Sequence, residues 1–230
     1  MNAYVIKLVG SEIADRATRR LFDSAPGNLE MKTFDAITPD TVDAAMKKRR
    51  VKWNYPWEGQ EYCFKSGLIK RAYQTRNPKA RMACFMSHYI LWEKVVKYDS
   101  PQIIFEHDAV FFPNIEHLPI EDFNKSKYDI IGLNSPMSAT RMSKRYDELV
   151  QGSKSALCDA PYIDEYNIPQ GIAGNSSYYI NPNGAAHMIS LTKEYGAWPN
   201  DALMCKQLVN KLGQTKKYYT HVQGLPSTTT

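Results

Sequence analysis

Short apolar runs alternate with amphipathic stretches through the first fifty residues. Residues 3–9, AYVIKLV, predict a buried strand. In the SEIADRATRRLFDSA stretch that follows, Ile13, Ala14, Ala17 and Leu21 recur at helical spacing, and Ser11 suits the N-cap. Pro26, Gly27 and Asn28 mark a turn, and residues 29–37 predict a second strand. TPDTVDAAMKK then opens a short helix. A strand–helix–strand opening predicts an α/β sheet with right-handed crossovers.

The pattern breaks over residues 50–78, which read as an irregular excursion from the core. It resumes at 79–98, the clearest helix, with Ala83, Met86, Ile90, Leu91, Val95 and Tyr98 along one stripe. Residues 101–112, PQIIFEHDAVFF, predict a strand buried on both faces, and 128–133 another. Residues 134–170 are polar and rich in Gly, Ser and Pro, so a long mobile loop is expected. Residues 174–181 lead a strand into the helix PNGAAHMISLTKEY. WPNDALMCKQLVNKL predicts a further helix with Asn200 or Asp201 near its start, and KKYYTHVQGLPSTTT a closing strand and tail. With no internal repeat and no low-complexity linker, one domain over 1–230 is expected, carrying an insertion at about 47–78.

Composition narrows the class. The chain has 230 residues, 43% hydrophobic and 23% charged, which suits a soluble globular domain with a full core. No apolar run approaches the ~20 residues of a membrane span. The first residues lack the basic and long apolar segments of a signal peptide, so a cytoplasmic protein is expected. Four scattered cysteines without a CxxC motif argue for reduced thiols and against zinc. The net charge of +5 hides an asymmetry. Residues 47–81 hold eleven Lys/Arg against Glu58 and Glu61, a local +9 that leaves −4 for the rest of the chain.

The candidate chemistry lies where the 101–112 run turns polar. Ile103, Ile104 and Phe105 are followed by Glu106, His107 and Asp108, then by Ala109 to Phe112. Burying unpaired charge costs several kcal/mol, so such a cluster needs a partner. Alternation along an extended segment points Glu106 and Asp108 the same way, as a pair of hard oxygen ligands for Mg²⁺ or Mn²⁺. The alternative is a strand end whose carboxylates cap a helix or pair with Arg.

Four stretches in the right order resemble glycosyltransferase family 25, which includes lipooligosaccharide and collagen galactosyltransferases. They are AYVIKL…ADRATRR, FDAI at 34–37, ACFMSHYILWEKVV at 83–96 and IIFEHDAVF at 103–111. Weaker echoes are GNSSYYINPNGAAHMI, the PND at 199–201, and Gln223 with Ser227. The chain departs from the family where His107 stands in its Glu-Asp-Asp and Lys7 in place of its usual Asn. The resemblance implies a GT-A fold, a Rossmann-like, mostly parallel sheet flanked by helices, with ligands outside the strands' carboxyl ends. It implies transfer of a sugar from a nucleotide donor, in the first instance a UDP-sugar.

The resemblance also assigns roles. Asp108 is the first metal ligand, with Glu106 on metal or ribose. His221, in a tail similar to the closing His-x-x-Gly of metal-dependent GT-A enzymes, is a candidate third ligand, or else a solvated tail histidine. Arg16, Lys7 and Ser87 fall where the family meets its donor nucleotide. A surface Arg16 and a helix in which Ser87 and His88 are simply buried and hydrogen-bonded are the plainer readings. Asp201 is the general base, or a helix N-cap. The basic segment, with Lys47, Lys48, Arg49, Arg50, Trp53 and Trp57, resembles a polyanion-binding surface with stacking platforms, against a plain solvated loop. The leading acceptor on this reading is a hydroxymethylated base in DNA, as in viral genome modification. The alternative acceptor is lipooligosaccharide or lipopolysaccharide. A different class of reading is a non-catalytic nucleotide-sugar or nucleic-acid binding module.

Overall fold

The computed structural model describes residues 1–226 apart from 74, 140–141, 165–166, 169–170 and 173. In chain order its strands and helices are β1 (Asn2–Lys7), α1 (Glu12–Asp23), β2 (Glu30–Asp35), α2 (Val42–Arg49), β3 (Gln60–Cys63), β4 (Leu68–Arg71) and α3 (Pro78–Tyr98). Then come β5 (Gln102–Glu106), β6 (Ala109–Phe111), α4 (Ile120–Lys125), β7 (Ile130–Gly132), α5 (Ser143–Gln151), β8 (Leu157–Asp159), β9 (Asn167–Ile168) and β10 (Ser177–Ile180). The chain closes with α6 (Pro182–Tyr195), α7 (Asn200–Leu203), β11 (Leu212–Thr215) and β12 (Thr220–Val222).

The seven-stranded central sheet runs β2-β1-β5-β10-β7-β11-β8. β1 is parallel to both β2 and β5, and β11 is parallel to β7. Only β10 and β8 run against the rest of this sheet. The sheet is therefore mostly parallel and flanked by helices, as the sequence pattern predicted. Side chains alternate between its faces. Ile104, Ile130, Tyr178 and Ile180 join a core with α2, α3, α6 and α7. Ile103, Phe105, Ile131 and Tyr179 join a second core with α1, α4 and the β6–β12 ribbon. From β1 the chain runs first to β2 on one side and later to β5 on the other. That reversal opens a crevice beyond the carboxyl ends of β1 and β5.

Several elements differ from the sequence reading, each for a local reason. The 101–112 run is two strands, β5 and β6, because a turn at His107 and Asp108 swings β6 out to pair with β12. α3 is buried nearly all round its middle, including Phe85, Tyr89 and Trp92. Ile90 is only half-buried, and Tyr98, placed on the stripe, is exposed. α3 packs under both α6 and the excursion before it, so a single stripe understates its burial. Residues 50–78 contain the hairpin β3–β4, which β9 extends to three strands. Residues 134–170 carry α5, β8 and β9 where a loop was expected. Tyr146 and Val150, four apart on α5, bury against Cys158, Ile163 and Tyr218. The helix expected from Trp198 onward is one turn, α7, after which Cys205 bridges to Gly171 and β11 joins the sheet through Leu212.

Candidate active site

A cavity of about 560 Å³ occupies the crevice, a size suited to a small-molecule ligand. Its wall comprises the end of β1 at Ile6, the turn Glu106–His107–Asp108, the first half of α3, the approach to β10 at Gly174–Ser176, α7 and the tail segment from Val222. The turn is held firmly. The His107 amide donates to Ile6 O (3.1 Å), and the Glu106 amide to Ser176 O (2.9 Å). Gln223 fastens it from outside: its amide nitrogen donates to Asp108 O (2.8 Å), and Nε2 donates to Ala109 O (2.9 Å) and Ala17 O (3.0 Å). Gln223 thus joins the tail, α1 and the turn.

Glu106 ends a buried relay. Trp92 Nε1 donates to the Tyr178 hydroxyl at 3.0 Å, the hydroxyl meets His88 Nδ1 at 2.8 Å, and His88 Nε2 meets Glu106 Oε1 at 3.1 Å. An indole can only donate. With one lone pair of Tyr178 taken by Trp92, the hydroxyl hydrogen is directed to His88 Nδ1, and His88 is left to donate through Nε2 to Glu106. The relay therefore has one direction and ends on a carboxylate. Burial alone would raise the Glu106 pKa, but the His88 hydrogen bond and the nearby His88 and His107 rings hold it below its ordinary value. Asp108 goes the other way. Burial, then the neighbouring Glu106 charge, push it up to about 7.

On the opposite wall Asp201 sits in the first turn of α7, with Pro199 rather than Asp201 in the cap position. Burial raises its pKa, while the nearby Tyr73 hydroxyl and the Arg81 charge pull it back. Arg81 lies over the Tyr73 ring at 4.7 Å. Tyr73 comes from the excursion before α3 and packs behind the cavity lining, beside Asp201 and Arg81. Buried polar atoms at the cavity have no hydrogen-bond partner among the described residues, among them Asp108 Oδ1 and both amide atoms of Asn175 and of Asn200. Buried polar groups are nearly always paired, so this cluster points to a polar ligand.

The structure brings together Glu106, Asp108, Ser87 and Asp201 around one cavity. Ser87 accepts from the Ile37 amide and donates to Ala83 O, so its hydroxyl ties β2's end to α3. The other expected residues lie elsewhere. Lys7 pairs with Asp15 at 2.8 Å, and Arg16 is exposed on α1 outside the cavity lining. His221 packs its ring on Phe112 at 4.7 Å. Its neighbour Val222 takes the cavity side of β12, which alternation denies to His221. Ser227 lies outside the described residues.

In the basic segment Arg49 is engaged with Glu93 at 2.6 Å. Lys47 and Lys48 are exposed at the end of α2. Trp53 stacks on Trp57, with ring centroids 4.9 Å apart, and packs edge-on against Phe85. Lys70, one of the eleven Lys/Arg of residues 47–81, is fully buried against Asn54 O and Glu61. Trp53, Tyr55 and Tyr73 therefore dock the excursion on the core, while Trp57, Tyr62 and Phe64 remain exposed. Sequence reasoning missed Tyr73 as an Asp201 partner and missed Asn175, Asn200 and Tyr178. Asn175 and Tyr178 lie in the GNSSYYINPNGAAHMI echo and Asn200 in the PND at 199–201, while nothing local marks Tyr73.

Residues 1–204 match glycosyltransferase family 25, described as LPS biosynthesis protein. The chain belongs to that family. It is also similar to a curated Haemophilus influenzae protein named "Putative glycosyltransferase", 22% identical over 172 residues. That match covers 72% of this chain but 49% of the relative, so the chain spans about half the length of the protein it matches. Among solved structures it resembles the apo form of mouse xyloside xylosyltransferase 1 at 12% identity and a TM-score of 0.40, over 88% of this chain and 66% of the other.

The donor atoms present can be tested against a divalent cation. Cys84, His88 and Glu106 place ligand atoms within 4.8 Å of one another. Burial first, and then Glu106, push the Cys84 thiol well up, so it stays protonated, and His88 already donates to Glu106. That triad is a hydrogen-bonded group, poorly suited to a hard ion. The unpartnered Asp108 Oδ1, with Glu106 beside it, fits a hard ion better.

Proposed function

We propose that this chain is a glycosyltransferase that moves a sugar from a nucleotide-sugar donor to a hydroxyl of a saccharide acceptor of the lipooligosaccharide type. The observation that carries the reading is the cavity beyond β1 and β5, which Glu106, Asp108 and Asp201 line together with the unpartnered Asn175 and Asn200. The family match and its description favour the saccharide acceptor over a DNA base.

In this reading Asp108 and Glu106 hold a divalent cation, Mg²⁺ or Mn²⁺. When bound, that ion neutralises charge on the departing nucleoside diphosphate. Asn175 and Asn200 supply polar contacts to donor or acceptor hydroxyls. Asp201 accepts the proton of the attacking acceptor hydroxyl as the new C1–O bond forms and the bond from C1 to the diphosphate oxygen breaks. Tyr73 and Arg81 hold the Asp201 carboxylate and keep its ionised form accessible. The test is intact-mass analysis of oligosaccharide and DNA acceptors after incubation with a panel of nucleotide sugars. A hexose or pentose increment on the oligosaccharide supports the proposal. An increment on DNA alone moves the acceptor to nucleic acid, and no increment on any acceptor rejects transfer.

A further inference from the structure

A second groove, of about 360 Å³, lies apart from the cavity, with no lining residue in common. One wall is the segment Arg49–Asn54 that leaves α2, and the other is the end of α6, from Thr192 to Gly196. The walls are bolted together by backbone. The Ala197 amide donates to Lys52 O (2.7 Å), the Asn54 amide to Ala197 O (2.9 Å), and Asn54 Nδ2 to Tyr195 O (2.6 Å). Gly196, at φ +84°, lies so close to Asn54 that an added Cβ would stand 2.5 Å from the Asn54 Cβ. The groove is therefore preformed.

Its charge is strongly positive. Arg50, Lys52 and Lys193 are exposed at the groove and carry no ion pair among the described residues. Arg50 also holds a left-handed backbone, φ 55°, at the C-cap of α2, a position that favours glycine. A bulky cation kept in that conformation costs about 1 kcal/mol. The groove also carries one acid, the exposed Glu194. Trp53 forms part of the floor.

The groove is joined to the active site by a short rigid link. Trp53 bridges Ala197, and Ala197 is followed by the buried Trp198 and by α7 with Asp201. Four residues span at most ~14 Å. We propose that this groove binds an anionic substituent, phosphate or carboxylate, on the acceptor saccharide and so orients the acceptor hydroxyl toward Asp201. This rests on the saccharide-acceptor reading above for what it orients, while the binding itself is measured independently of turnover. The small two-walled groove suits a single anionic group on a sugar better than an extended nucleic-acid backbone.

The test compares the wild-type chain with Arg50→Gln/Lys52→Gln/Lys193→Gln, whose changes are exposed and outside the cavity. Titration calorimetry is run with a phosphorylated lipooligosaccharide core oligosaccharide, its dephosphorylated form, its carboxyl-reduced form and a single-stranded oligonucleotide of equal charge. Release of nucleoside diphosphate from donor alone is measured in parallel. The expected result is a loss of about tenfold or more in saccharide affinity in the triple variant and on removing either phosphate or carboxylate, with donor hydrolysis unchanged. Which of the two modified saccharides loses affinity identifies the anion. Equal affinity for all saccharide forms, or for wild type and variant, overturns the proposal, as does tighter binding of the oligonucleotide. Anion-dependent binding with no sugar increment on any acceptor would keep the groove and reject the transferase reading.

Discussion

Asp201 and its two neighbours give the sharpest expectations at the scale of single residues. A general base works only when ionised, and burial raises the Asp201 pKa. Activity should fall as pH drops through that raised value, so the acidic limb lies above the ordinary Asp range of ~4. Tyr73 pulls the pKa down, so in Tyr73→Phe the limb moves to higher pH; a kcat profile superimposable on wild type would remove Tyr73 from the site. Asp201→Asn should lower kcat by ~10²–10⁴. The sign for stability is the reverse. The folded state holds the Asp201 proton to higher pH than the unfolded state, so stability is lost as pH rises from the unfolded to the folded pKa. Asp201→Asn is then at least as stable as wild type at neutral pH, checked by melting temperature. The Trp92–Tyr178–His88 relay makes a separate prediction. His88→Gln keeps an amide donor and an acceptor, and should retain more activity than His88→Ala at matched melting temperature. Equal loss in both would make His88 a packing residue alone. Removing the Tyr178 hydroxyl as Tyr178→Phe leaves Trp92 Nε1 and His88 Nδ1 unpaired, at ~1–3 kcal/mol each.

Among the elements, those that the sequence made legible are the ones whose own periodicity matched their burial. β1, α1 with its Ser11 cap, β5 and α6 follow from short apolar runs and caps, and they lie where the pattern put them. α7 and β11 did not, because WPNDALMCKQLVNKL is apolar at helical spacing and what ends α7 is remote. Cys205 bridges to Gly171, thirty-four residues earlier in sequence. That contact gives a further test. A Cβ at Gly171 would stand 2.5 Å from Asp201 O and 2.6 Å from Met204 O, both backbone. Gly171→Ala must shift α7, and with it the base. It should destabilise by ~1–3 kcal/mol and reduce kcat more than KM, measured by steady-state kinetics. A fall in stability without a change in kcat would show that α7 tolerates displacement. The site was half legible for a similar reason. Glu106 and Asp108 stand out because charge interrupts an apolar run, whereas Asn175, Asn200 and Tyr73 gain meaning only from neighbours far along the chain.

For the molecule as a whole, the sheet order places the β1–β5 crevice and the basic excursion on one connected frame. The helical core side carries the excursion through Lys70, Tyr55 and Trp198, and the far side carries the β6–β12 ribbon that fixes the Glu106–Asp108 turn. Among the described residues no helix is long and apolar enough to cross a membrane. The central claim is that the crevice transfers a sugar from a nucleotide donor held near Asp108. The most direct measurement is release of nucleoside diphosphate from a nucleotide-sugar panel with Mn²⁺ and an oligosaccharide acceptor, wild type against Asp108→Ala, with melting temperature recorded for both. The account predicts turnover with at least one donor in the wild type, its loss in Asp108→Ala, and a variant that remains folded. Turnover at the wild-type rate in Asp108→Ala, or no turnover with any donor, would contradict it.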